Sequence, residues 1–405
     1  MQANYDIVIV GGGMVGGLLA CALGGGPFKV AIIDQAAARA IAAPDYDTRV
    51  SAISLASQAM FEAVGAWAGM QRRRISPVRE MQVWDAAGTG RIEFNAADMG
   101  EPCLAYIIEN SVIQAALLER LHQHTNLHHL CPVEISEITL ADDHARIALK
   151  DGRTLRARLL VGADGAQSAV RRAAHIEAPA RDLRQQSIVA TVKCERPHGA
   201  IARQAFLSTG PLAFLPLDDA HHCSIVWSAD TARAQELMAM TDQDFVEALQ
   251  TAFGDALGAL SLAGNRAAFP LALSDARHYC AEHIALVGDA AHTVHPLAGQ
   301  GVNLGFLDAA ALADVLTSAQ SKQQDIGSLR VLRRYERWRK GENLVMVSVT
   351  GGFRYLFGAA SPGLRQARNL GLTLTNAAAP IKHLIMRRAS GLDGDLPPLA
   401  RRAAH

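Results

Sequence analysis

The chain has 405 residues, 50% hydrophobic and 19% charged, which excludes a disordered protein and leaves room for more than one core. Its 39 Lys/Arg and 39 Asp/Glu balance to a formal net charge of zero, but from Arg330 on 14 basic residues face 4 acidic ones. No nucleic-acid module surrounds the basic residues, no wholly apolar run reaches the ~20 residues of a membrane span, and six scattered cysteines without a C-x-x-C pair argue against zinc or disulfides.

The N-terminus enters a strand directly, with no basic stretch before an apolar core, so a cytoplasmic protein without a signal peptide is expected. "YDIVIV" (5–10) reads as a buried strand, "GGGMVGG" as a turn, "LLACAL" as a helix and "FKVAIID" (28–34) as a second strand. This is a β-α-β unit on a parallel sheet. "SVIQAALLERLHQH" (111–124) reads as a helix, followed by strands that include an Asp151-Gly152 hairpin turn. The stretch 203–228 reads as a three-strand meander, and helix follows to about Phe253. "HIALVGD" (283–289) is another buried strand, "VNLGFLDAAALADVL" (302–316) an amphipathic helix, and the last 75 residues are helical in pattern.

The expected fold class is α/β. A discontinuous Rossmann-like domain (1–75, 101–180, 281–330) carries an inserted β-rich domain (76–100, 181–280), and a helical region covers 331–405.

Three segments carry chemistry. The first is Gly11-x-Gly13-x-x-Gly16 between strand and helix, with Asp34 at the end of the next strand. Those glycines suit a tight turn, a pyrophosphate approach and close helix packing, and the acid suits an adenosine ribose. The second is "GADG" (162–165), with Ser168 and Arg171 beyond it, which is also an ordinary Asp-Gly turn by composition. The third is "GDAAHTVHPLAGQGVNLG" (288–305). Asp289, His292 and His295 there suggest a metal or acid/base site. Yet no third soft ligand or nucleophile stands nearby, and the glycines suggest a ligand lying on bare backbone. Two histidines merely packed in a loop is the bland alternative.

In order and spacing these motifs resemble the single-component flavin-dependent aromatic hydroxylases, over nearly the whole chain. "DTRVSAI" (47–53), "GPLAFLPL" (210–217), "CSIVWS" (223–228), "HPLAGQGVNLG" (295–305) and the tail "LRRYERWRK" look like the ubiquinone-biosynthesis branch, most of all its 2-octaprenylphenol hydroxylases.

The resemblance implies FAD as cofactor, NADH or NADPH as electron donor and O2 as co-substrate. It implies hydroxylation of a polyprenylphenol at ring position 5 through a flavin C4a-hydroperoxide. The later step at position 6 and a soluble aromatic acid are the alternatives, and a non-catalytic flavoprotein scaffold is a third. It places the pyrophosphate on Gly11, Gly13, Met14, Val15 and Gly16, and the adenosine ribose on Asp34. Arg49, Asn110 and Asp164 would lie beside the cofactor, and Gly288 and Asp289 at its ribitol. The backbone of Gly299, Gln300, Gly301, Val302 and Asn303 would face the ring. His295 and Pro296 would wall the reacting centre, with His295 as a positioning group.

Phe214, Pro216 and Trp227 on the meander are candidates to line an apolar substrate pocket, or else sheet core. "APIKHLIMRRASGL" (379–392) is basic and apolar together, as a peripheral contact with the inner membrane or a partner protein would require. Other ubiquinone-biosynthesis proteins are the expected partners. The basic tail otherwise neutralises the acidic body of its own fold.

Overall fold

The computed structural model describes residues 2–37, 45–294, 301–358, 369, 375–376 and 378–402, with backbone alone at 345–358. Strand β1 (Gln2–Val10) leads into α1 (Met14–Leu23) and β2 (Val30–Ile33). Ile7, Val8 and Ile9 have no exposed surface, as a strand covered on both faces requires. Next come β3 (Val50–Ser54), α2 (Leu55–Ala63), α3 (Trp67–Gln71) and β4 (Ser76–Val78). Strands β5 (Glu80–Asp85), β6 (Arg91–Asn95) and β7 (Ala105–Glu109) precede α4 (Asn110–Leu121).

Strands β8 (Leu127–Leu130), β9 (Ile135–Leu140), β10 (Ala145–Leu149) and β11 (Thr154–Gly162) follow, then α5 (Ala169–Ala173). The expected hairpin joins β10 to β11, with Gly152 at φ 87°. The inserted segment comprises β12 (Ala180–Cys194), β13 (Ile201–Leu207), β14 (Gly210–Pro216) and β15 (His222–Asp230). Helices α6 (Thr231–Ala239) and α7 (Asp242–Phe253) cover it, with β16 (Leu260–Leu262) and β17 (Ala267–Asp275) after them. Helix α7 starts where the Thr241 hydroxyl accepts the Asp244 N–H, and it buries Phe245, Leu249 and Phe253 at four-residue spacing. The chain returns through β18 (Cys280–Ala281), β19 (Ile284–Leu286) and β20 (His292–Thr293) to α8 (Gly301–Ser321), α9 (Leu329–Gly358) and α10 (Ala379–Ala389).

Three sheets result. The first has the order β18-β19-β11-β1-β2-β8, parallel from β19 to β8, with β10 and β9 added antiparallel beside β11. The second runs β20-β17-β12-β15-β14-β13-β5-β6, with the meander antiparallel as expected. The third is β3-β7-β4. Two expected boundaries shift. Strand β4 pairs with β7 and stays outside the inserted sheet. Val331, Leu332 and Tyr335 of α9 belong to the same core as β1, β11 and α8, so the domain built on the first sheet continues beyond 330.

A second core lies between the nine-stranded sheet and helices α6 and α7, and a third between its opposite face and the β3-β7-β4 sheet. Helix α8 is long and apolar enough to cross a membrane, but it serves as a core helix, with 72% of its apolar window inside the protein.

Candidate functional site: a nucleotide cradle at the strand ends

At the carboxyl end of β1, Gly11 takes φ 102°, and a Cβ there would sit 2.3 Å from the Ala163 carbonyl oxygen. A Cβ on Gly16 would sit 1.9 Å from the Gly11 oxygen, so α1 rides directly on the turn. Gly13 has nothing within 4 Å of its would-be Cβ, which leaves an open approach to the first, unbonded N–H groups of α1. Asp34 stands at the rim, with Oδ2 2.7 Å from where a Gly12 Cβ would lie. Met14 and Val15 open the helix, and Val15 packs against Gly288 and Gly305, each of which a Cβ would bring to 3.2 Å or less from a Val15 methyl.

Asp164 sits next to Ala163 at the end of β11. Its Oδ2 accepts the N–H groups of Ala169 (2.7 Å) and Val170 (3.3 Å), while Oδ1 is buried without a partner. Asp164 therefore helps Ser168 cap the first turn of α5, as an ordinary turn residue would, and keeps one buried carboxylate oxygen without a partner. Arg171 spans 119 residues to donate to the Ala290 carbonyl at 2.8 Å and fastens this segment to the third motif.

Asp289 follows Gly288 (φ 61°). The residue is exposed, yet protein atoms crowd its carboxyl, and this desolvation raises its pKa; His292 and Arg49 pull the other way. The Arg49 guanidinium lies over the Phe269 ring at 5.1 Å. The Arg49 carbonyl accepts the Asn110 N–H at 3.0 Å, and the Asn110 side chain is engaged with the Ser51 hydroxyl at 2.7 Å. Asn110 thus fastens the Arg49 segment to α4.

Gly301 and Val302 open α8. The Asn303 side chain is committed to protein: it donates to the Ala52 carbonyl and accepts from the Ser54 N–H and the Ser57 hydroxyl, leaving only its backbone for a ligand. His295, Pro296, Gly299 and Gln300 lie outside the described residues.

A buried polar network beneath this loop escaped the sequence reading. Asp308 on α8 is fully buried, and its Oδ2 accepts from His292 Nε2 at 2.5 Å and from the Gly288 N–H at 3.2 Å. Its Oδ1 accepts from Arg339 Nε (3.0 Å) and Asn343 Nδ2 (3.1 Å), both on α9 and both without exposed surface. Burial by itself would raise this carboxyl. The His292 charge and hydrogen bond, with Arg339 and Asn343, outweigh it and hold Asp308 down at about 2. One signal was available: a lone Asp within the apolar "NLGFLDAAAL" face, and an Arg and Asn four apart on the next helix.

The meander residues correct an expectation. Phe214 is 1% exposed and stacks on Phe253 of α7 with ring centroids 3.8 Å apart, and Trp227 lies beside Phe245. Both belong to the core under α6 and α7, not to a pocket facing the first domain. Strand alternation is the reason. Ala213 and Leu215, with Val226 across the ladder, point to the β3-β7-β4 side, and Phe214, Pro216 and Trp227 fall on the alternate register.

A parallel sheet, a glycine turn with an open approach to a helix N-terminus, an acid at the next strand end and a buried carboxylate oxygen without a partner fit a dinucleotide cofactor such as FAD. Together they define a flavoprotein. The FAD binding domain family matches residues 4–341. A relative in Escherichia coli (strain K12), named 3-demethoxyubiquinol 3-hydroxylase, is 40% identical, covering 96% of this chain and 98% of that one. Ubiquinone hydroxylase UbiL of Rhodospirillum rubrum is 37% identical over 95% of this chain and 89% of its own. Among solved structures, P. aeruginosa PqsL in complex with 2-aminobenzoylacetate superposes with a TM-score of 0.78 at 27% identity, covering 92% of this chain and 100% of that one. The chain belongs to the FAD-dependent hydroxylases of ubiquinone biosynthesis, a family of flavin-dependent aromatic monooxygenases.

Proposed function

We propose that this chain hydroxylates the aromatic ring of a polyprenylated ubiquinone precursor. Two ring steps compete. The sequence motifs favour a polyprenylphenol oxygenated at position 5. The 40% identity to an enzyme named for 3-demethoxyubiquinol, a quinol lacking one methoxy group, favours a later step.

The single observation that carries the catalytic reading is that the cradle, Asp164 and Asp289 all follow the carboxyl ends of adjacent parallel strands, β1, β11 and β19. Gly11, Gly13, Met14, Val15 and Gly16 would hold the FAD pyrophosphate, Asp34 the adenosine ribose, and Gly288 and Asp289 the ribitol. The backbone of 299–303 would face the flavin ring. Bound FAD, reduced by NAD(P)H, supplies the O2 activation that places one oxygen on the substrate ring. The protein orients that ring and excludes water. Phe269 of the nine-stranded sheet, 36% exposed beneath Arg49, is an apolar side chain that would stand beside the substrate ring in this reading. His295 and Pro296 complete the wall in this reading.

Precursor profiling in a strain lacking the gene tests it. Accumulated polyprenylphenol supports position 5, and accumulated demethoxyubiquinone supports the later step. An unchanged quinone pool removes both.

The prenyl tail of such a substrate favours peripheral contact with the inner membrane from the cytoplasm. Helix α10 supports this, exposing Ile381, Leu384 and Ile385 (54%, 60% and 42%) beside Arg388 and His383. Anionic liposome sedimentation of a Leu384→Glu variant checks it; unchanged binding sinks it. Association with other ubiquinone-biosynthesis proteins is checked by affinity purification of the tagged chain.

A further inference from the structure

Part of the basic tail is paired with the rest of the fold. Arg339 is paired with Asp308, Lys382 with Asp98, and Arg402 with Glu101, so these cations neutralise the acidic body of the fold. Arg330, Arg334 and Arg337 do not: among the described residues none of the three forms a salt bridge. They lie at i, i+4 and i+7 on α9, a single stripe about 10 Å long by helix geometry. With Gln324, Asp325, Ser328 and Val331 they line a concavity of about 420 Å³. That volume falls within the roughly 300–1,000 Å³ of small-molecule sites and is small for a folded partner.

The side chains are partly arranged for a ligand. Gln324 Oε1 accepts from Arg334 at 2.9 Å, and Arg337 Nε is held on the Arg333 carbonyl at 3.2 Å, which leaves Arg337's terminal nitrogens to point elsewhere. Asp325 is turned to other work: its Oδ1 accepts the Gly327 N–H and lies 3.7 Å from Arg158. The first N–H of α9, at Leu329, is already taken by Glu282 Oε2, so the attraction here comes from guanidinium groups and not from a free helix end.

The concavity is remote from the cofactor cradle. Arg158, which meets Asp325, also pairs with Asp6 midway along β1, whereas the glycine turn follows Val10 at the end of that strand, about 16 Å further on at ~3.3 Å per residue. None of the residues that line the concavity belongs to the glycine cradle.

We propose that Arg330, Arg334 and Arg337 form a second anion site, for a phosphoryl or pyrophosphoryl group, separate from the FAD site. Guanidinium forks match phosphate oxygens in pairs, and three of them along one stripe suit two linked phosphates better than one. A soluble phosphate ester and a phospholipid headgroup present the same chemistry.

The test uses the FAD-loaded protein, so that the cradle is already filled. Calorimetry with inorganic pyrophosphate is run on the wild type and on Arg330→Ala/Arg337→Ala. Both residues are exposed, so the variant keeps its fold, checked by its flavin spectrum and melting temperature. Saturable binding that weakens at least tenfold in the variant supports the site. In a parallel arm, vesicles of phosphatidylglycerol and phosphatidylcholine are compared with phosphatidylcholine alone. Vesicle binding that falls in the same variant identifies a headgroup, and pyrophosphate binding without it identifies a soluble ester. No saturable pyrophosphate binding, or binding equal in the two proteins, overturns the proposal.

Discussion

His292 Nε2 lies 2.5 Å from Asp308 Oδ2, and both side chains are buried. The same carboxylate oxygen accepts the N–H of Gly288, the residue before Asp289. A histidine that looked like a catalyst is therefore a strut, and it transmits the position of α8 and α9 to the turn that presents Asp289.

Asp308→Asn should be strongly destabilising. It removes the anion and leaves the buried Arg339 with Glu342 as its one ionic partner among the described residues. Breaking one side of a buried pair costs about 3–5 kcal/mol. Urea denaturation of wild type and variant checks this, and a difference under about 1 kcal/mol would show that the network carries little.

The same carboxyl gives a pH signature. Folding holds it at about 2, below the ~3.9 of an unfolded chain. Its contribution, on the order of 2 kcal/mol, is complete above about pH 4 and is lost as pH falls towards 2. The stability gap between wild type and Asp308→Asn should narrow across that window. A gap constant from pH 6 to pH 2 would contradict the assignment.

Two alanine substitutions in the cradle should separate binding from folding. Gly16→Ala drives a methyl into the Gly11 carbonyl and should cost about 1–3 kcal/mol or more in stability. Gly13→Ala meets no protein atom, so the apoprotein should melt unchanged while FAD affinity drops at least tenfold. FAD titration by fluorescence, with melting of the apoproteins, reads both; equal FAD affinity for Gly13→Ala would refute the cradle.

Phe214→Ala should lower stability by about 3–5 kcal/mol while leaving KM for the aromatic substrate within a factor of two, because its ring fills the core against Phe253. A large KM change with unaltered stability would restore it to the pocket.

His295→Ala should uncouple NADH oxidation from hydroxylation, giving less product per NADH consumed. Product yield equal to wild type would remove His295 from the site.

What the sequence determined by itself was local: three glycines at fixed spacing, an acid closing the next strand, an Asp-Gly turn and a glycine-rich loop before a helix. Each is set by backbone conformation within a few residues, and so is visible in a linear string. Together with segments such as "DTRVSAI" and "HPLAGQGVNLG", they carried the resemblance to the flavin-dependent hydroxylases. What only the tertiary structure decided depends on register and on distant partners. A one-residue step in the sheet turns Phe214 and Trp227 from a pocket into a core, and no composition rule specifies that step. The link from Arg339 to Asp308 spans 31 residues and that from Arg171 to Ala290 spans 119, joining side chains whose local patterns are indifferent to one another. Burial makes such pairings obligatory, because a charge removed from water must find its partner wherever the fold brings one.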